Sequence, residues 1–176
     1  MPTPLRYALD FAALALVYFF GLLPRWKKRG KRSLAVHSVF MLYLSGVLFV
    51  TLMPILASLP FCFNHPYVPM HLVPFEDAIL GRGDVVRQIV LNVVMMVPFG
   101  FLYPLSRRVD GKSGSLIRTL AAAVAVSLSI ELLQPLFNAA RSSDVTDLIT
   151  NTAGALLGYA FFALCRAVWQ RKKAQQ

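Results

Sequence analysis

Five long apolar stretches alternate along the chain with short basic or proline-rich segments. They are Tyr7–Leu23, Leu34–Met53, Val85–Leu102, Leu116–Leu133 and Asp144–Trp169, each at least 17 residues long. At about 1.5 Å per residue, each predicts a helix able to cross a hydrocarbon core about 30 Å thick with a few flanking residues. The fold class that follows is all-α: a polytopic membrane helical bundle of about five transmembrane helices, forming a single domain over 1–176.

The separators set the topology. After Pro24 comes RWKKRGKR, six of whose eight residues are basic, and two further basic groups are Arg107-Arg108 with Lys112 and Arg166 with Arg171-Lys172-Lys173. Lys and Arg gather in cytoplasmic loops. All three clusters fall on one side if the N-terminus is outside and the C-terminus cytoplasmic. A cleaved signal peptide would need a small-residue cleavage site after the first run, and none follows. The remaining separators are the turn Asn138–Ser143 and a long segment from Pro54 to about Asp84, both outside. The long one is rich in proline and aromatics, which predicts a loop lying along the interface, with a short helix over Pro74–Leu80. Pro98 followed by Gly100 predicts a kink in the third helix, and Pro135 an end or bend in the fourth.

Composition agrees. Of 176 residues 57% are hydrophobic, above the usual globular share of about 45–50%, and the net charge is +10. So basic a chain raises nucleic acid as a partner, but the basic residues lie in inter-helix clusters rather than along one stripe, which excludes that class. The topology puts Cys62 and Cys165 near opposite membrane faces, so they are not a disulfide pair. The localisation expected is the plasma membrane.

Against this background the polar residues of 131–158 stand out. Glu131, Gln134, Asn138, Arg141, Asp144, Asp147 and Asn151 occur within 21 residues bounded by apolar sequence. On a helix begun near Asp144, the residues Asp144, Asp147, Asn151, Gly154 and Gly158 fall within a stripe roughly 80° wide. Glu131 and Gln134 share a face of the fourth helix, and Asn92 lies at a comparable depth in the third. Asn92, Glu131, Gln134, Arg141, Asp144, Asp147 and Asn151 are therefore the candidate ligand-binding residues at the outer-leaflet level, since ionisable groups inside a membrane are costly and usually functional. Arg141 and Arg87 are candidates for pairing with a carboxylate or holding an anionic group.

Plainer readings stand beside this one. Ser143 or Asp144 opening a helix with Asp147 in its first turn is also ordinary N-terminal chemistry. Glu131 paired with Arg141 is also a structural ion pair. Gly154 and Gly158 at GxxxG spacing make a packing face, within the chain or in a homo-oligomer. No metal motif is present: His65 and His71 lack HxxxH or HExxH spacing, and the acidic residues follow no ligand pattern. No cofactor motif occurs.

Several short motifs appear in order over residues 70–160. They are His71-Leu72-Val73-Pro74-Phe75; Asn92 with Val97-Pro98-Phe99-Gly100-Phe101-Leu102; Glu131-x-x-Gln134; and Arg141-x-x-Asp144-x-x-Asp147-x-x-x-Asn151-x-x-Gly154-x-x-x-Gly158. This series resembles the VanZ-like family of membrane proteins, with His71 standing where an asparagine is expected. The resemblance implies a part in resistance to teicoplanin and related lipoglycopeptides. Two functional classes follow. One is a non-enzymatic protein whose outer-leaflet pocket binds a membrane lipid, a lipid-linked cell-wall precursor or an antibiotic tail. The other is an intramembrane enzyme modifying a surface lipid or lipid carrier, with Glu131 or Asp147 as acid or base.

Overall fold

A computed structural model describes residues 2–138 and 141–175. Among the described residues are five helices long and apolar enough to cross a membrane: α1 (Thr3–Lys28), α2 (Lys31–Thr51), α3 (Val85–Val109), α4 (Leu116–Phe137) and α5 (Val145–Ala174). No strands occur among them beyond an isolated bridge, so the fold is all-α.

The helices outrun the apolar stretches. α1 continues through Pro24 into the basic segment, after a π-helical passage over Val17–Leu22, and stops at Gly30 (φ 101°). Arg25, Lys27 and Lys28 are good helix formers, so the basic cluster extends the helix instead of breaking it. α3 runs through Pro98 and Pro104, and α4 runs through Pro135 to Phe137. α5 begins at Val145, one residue after Asp144, and extends past Trp169. In the long connection after α2, only Leu59–Phe61 and the single turn Glu76–Ile79 are helical. Phe61 and Phe63 there are exposed, as interfacial aromatics would be.

The burial pattern inverts that of a water-soluble bundle. In α4 the buried positions include Thr119, Ala123, Ser127, Glu131 and Gln134, small or polar residues three or four apart, while Ile117, Val124, Leu128 and Leu132 are exposed. Lipid tails solvate leucine as well as a protein core does, so small and polar residues make the helix contacts.

The chain forms two compact units. The first comprises Met1–Pro74 and Leu128–Val145. Within it α1 and α2 form an antiparallel hairpin, tied along its length by Tyr7 against Phe49, Tyr18 Oη to Ser38 Oγ at 2.8 Å, and Trp26 against His37. The Asp10 carboxylate, 4% exposed, accepts the backbone N–H groups of Ile55 (2.6 Å) and Leu56 (2.9 Å), fixing the chain just beyond α2 to α1.

The second unit comprises Phe75–Ser127 and Thr146–Gln176. Here α3 and α5 touch backbone to backbone. A Cβ on Gly154 would lie 2.3 Å from the Val93 carbonyl oxygen, one on Gly158 1.9 Å from that of Val97, and one on Gly100 2.0 Å from that of Ala155. The packing face expected of Gly154 and Gly158 is thus filled by α3 of the same chain. Phe101 against Phe161 and the Tyr159 hydroxyl on the Gly114 carbonyl (3.3 Å) continue the contact. Both cysteines are free thiols.

Candidate functional site

The seven expected site residues divide between the units: Glu131, Gln134, Arg141 and Asp144 fall in the first, Asn92, Asp147 and Asn151 in the second.

In the first unit the geometry starts from Pro135. Proline has no N–H, so the carbonyl of Glu131, four residues earlier, lacks its helical donor. The hydroxyl of Ser143 donates to that carbonyl instead, which lets α4 run through the proline. The Glu131 side chain is 2% exposed and its Oε2 accepts the Asp144 N–H at 3.1 Å. On the other side of this turn, His71 N–H donates to the Ser143 carbonyl (2.9 Å) and Val145 N–H to the His71 carbonyl (3.0 Å). The first unit's polar residues therefore sew the 71 segment and the start of α5 onto α4. Gln134 Nε2 and Arg141 Nη1 both approach the Thr51 carbonyl, at 3.4 and 3.5 Å, at the C-terminal end of α2 where helix carbonyls lack partners.

In the second unit polar residues stand at successive turns of α3 and α5. Gln88 Nε2 lies 3.2 and 3.3 Å from the two Asp147 carboxylate oxygens. One turn further along each helix come Asn92 and Asn151. Asn151 is 1% exposed and its Nδ2 donates to Ser127 Oγ at 2.9 Å, but its Oδ1 is buried with no hydrogen-bond partner. The Nδ2 of Asn92 is likewise buried and unpartnered. Below them the Val93–Gly154 approach closes the seam. A buried carbonyl or N–H left unmatched costs about 1–3 kcal/mol, so each such atom calls for a partner. One orphan donor and one orphan acceptor suit a group that both donates and accepts, such as a hydroxyl, an amide or a water.

Sequence reading missed several contributors. Gln88 precedes Asn92 by four residues and so shares its helix face; that spacing was the available signal. Asp10 is a lone carboxylate inside an apolar run, which by itself marks a buried role. Ser127 and Thr51 carry no local signature, and Ser143 and His71 are expected from sequence only as a helix opening and a motif position, not as partners of the Glu131 carbonyl and of each other. Among the described residues no three His, Cys, Asp or Glu side chains group as a metal site.

The profile of the VanZ/LLP1 family matches residues 11–166. The chain is also 30% identical over 132 residues to Protein VanZ of Enterococcus faecium, covering 75% of this chain and 76% of that one. No solved structure matches it. With five apolar helices in the described residues and a family match across nearly their whole length, this is a multi-pass membrane protein of the VanZ/LLP1 family.

Proposed function

We propose that the chain acts in the bacterial plasma membrane as a VanZ-type factor lowering susceptibility to teicoplanin-like lipoglycopeptides, by binding rather than by catalysis. The ligand is a membrane lipid, a lipid-linked cell-wall precursor or the antibiotic's acyl tail, engaged at the outer leaflet. The observation that carries this reading is the pair of orphaned atoms, Asn92 Nδ2 and Asn151 Oδ1, one turn from the Gln88–Asp147 contact. Two buried polar atoms without a hydrogen-bond partner in the protein offer a place for a ligand's polar group. One carboxylate oxygen of Glu131, Oε2, accepts the Asp144 N–H, so this reading gives Glu131 a part in positioning the start of α5. With the basic clusters inside, the N-terminus is outside and the start of α5 faces outward; inactivity of a C-terminal secreted-reporter fusion tests that orientation.

The functional test is teicoplanin susceptibility in a sensitive Gram-positive host expressing the wild type or Asn92→Leu at matched membrane levels. Leucine removes the orphan donor, so it should leave the fold intact or firmer while abolishing protection. Equal protection by the variant, or none by the wild type, overturns the proposal.

A further inference from the structure

Toward the end of α5 away from Asn151, Arg166 is half-buried, and its Nε is buried with no hydrogen-bond partner. At about 1.5 Å per residue it stands about 32 Å along the helix from Val145, just past one hydrocarbon thickness of about 30 Å. One turn on, Trp169 is exposed and Lys173 Nζ lies 4.3 Å from its ring centroid, a pairing suited to the membrane boundary. Arg166 therefore stands at the level of lipid phosphates. With the topology proposed above, these are the phosphates of the cytoplasmic leaflet.

The second unit surrounds that level with positive charge. Gly154 meets Val93 and Gly158 meets Val97; the same offset pairs Phe162 with Phe101 and sets Arg166 level with Leu105 on α3. Arg107 and Arg108 follow soon after Leu105, and Lys112 lies in the connection to α4. Arg107 is already engaged: its Nε donates to the Ser113 carbonyl at 2.8 Å, and its guanidinium lies over the Tyr103 ring. That contact holds the connection against the end of α3, where Gly114 also packs on Pro104. α3 carries no carboxylate, and α5 carries none after Asp147. Asp110, just past α3, does not partner the Arg166 Nε and has a contact of its own.

A guanidinium offers its Nε–H and the neighbouring Nη–H side by side, a fork that fits two oxygens of one phosphate. A buried N–H without an acceptor is costly, and at this depth a lipid phosphate is the acceptor at hand. We propose that Arg166 binds the phosphate of an anionic phospholipid of the cytoplasmic leaflet through this fork. The charges of Arg107, Arg108 and Lys112 disfavour a headgroup that carries its own cation, so phosphatidylglycerol is preferred to phosphatidylcholine. The proposal is independent of the resistance reading, because it uses none of the residues on which that reading rests.

The test uses the full chain in a neutral maltoside detergent, titrated with dioleoyl-phosphatidylglycerol or dioleoyl-phosphatidylcholine, with bound lipid counted by native mass spectrometry. Phosphatidylglycerol should bind at least about tenfold more tightly than phosphatidylcholine, and Arg166→Gln should weaken it by about tenfold or more, the equivalent of one charge-assisted hydrogen bond. Arg166→Lys keeps the charge and the length but lacks the fork, and should weaken binding by about threefold or more. Arg171→Gln removes the same charge from an exposed position of α5 and should change binding by less than about twofold. Equal loss in Arg166→Gln and Arg171→Gln would reduce the site to diffuse charge and overturn the proposal. So would wild-type binding by Arg166→Lys, or equal affinity for phosphatidylcholine. Glycerol 1-phosphate serves as competitor: displacement of phosphatidylglycerol at equal concentration would overturn the assignment to a lipid, and retention of the lipid supports it.

Discussion

The hydroxyl of Ser143 donates to the main-chain carbonyl of Glu131, the acceptor that Pro135 leaves without its helical N–H. Ser143 is fully buried, so water does not replace it. Ser143→Ala should therefore destabilise the chain by about 1–3 kcal/mol, the cost of a buried acceptor left unmatched. Pro135→Ala restores the missing donor within α4. In that background Ser143→Ala should cost markedly less, and thermal unfolding of the four variants in detergent gives the coupling as a double-mutant cycle. Simple additivity would show that the two residues are not linked through this carbonyl.

The same residue's side chain makes a separable prediction. Glu131 Oε2 accepts the Asp144 N–H at the entrance to α5. Glutamine retains an oxygen at that position, and alanine does not. Glu131→Gln should cost about 1 kcal/mol and leave membrane levels near wild type, whereas Glu131→Ala, which strands a backbone donor, should cost about 1–3 kcal/mol. If Glu131→Gln were as damaging as alanine, the negative charge itself, and not the latch, would be what the position supplies.

The α3–α5 seam gives a contrast among glycines. A methyl group on Gly158 meets the Val97 carbonyl at 1.9 Å, while one on Gly46, in α2, meets nothing within 4 Å. Gly158→Ala must push two helix backbones apart, an overpacking cost of about 1–3 kcal/mol or more. Gly46→Ala should instead be neutral or stabilising by up to about 1 kcal/mol, since alanine is the better helix former. Opposite shifts in melting temperature are expected, and parallel shifts would contradict the close approach of α3 and α5.

These relationships mark how far the sequence could be read. The five helices were legible because long stretches with few charges admit little else. Their ends were not: lysine and arginine continue a helix readily, and nothing local to Pro135 announces that Ser143, eight residues on, replaces its missing donor. The identities of the polar residues were legible too, since Asn92, Asp147 and Asn151 are conspicuous among apolar neighbours. Their partners were less so. Charge pairing points from Glu131 to Arg141 and from a carboxylate to Arg87, whereas the geometry adds the Asp144 backbone N–H and the Gln88 amide. Backbone N–H groups and neutral amides also donate to carboxylates, but sequence patterns register only the charges.

Asp10 carries that lesson into the least conspicuous part of the chain. Its two carboxylate oxygens are each used, one on the Ile55 N–H and one on the Leu56 N–H, across 45 and 46 residues. Asp10→Leu suits the apolar run around it and would be judged harmless by hydropathy alone. It strands two backbone donors in a part-buried position, at about 1–3 kcal/mol each. Asp10→Asn keeps one acceptor oxygen but presents an NH₂ to the second donor, so it should fall between leucine and wild type. Most of the loss should be local, because the contact fixes the segment after α2 without bridging the core of the α1–α2 hairpin. Amide exchange read by mass spectrometry is the matching measurement: faster exchange over peptides spanning 54–62, with the Tyr7–Phe49 region of the hairpin still protected, is the expected result. Uniform loss of protection would make Asp10 a determinant of the whole hairpin, and unchanged exchange would remove it as the latch of the loop.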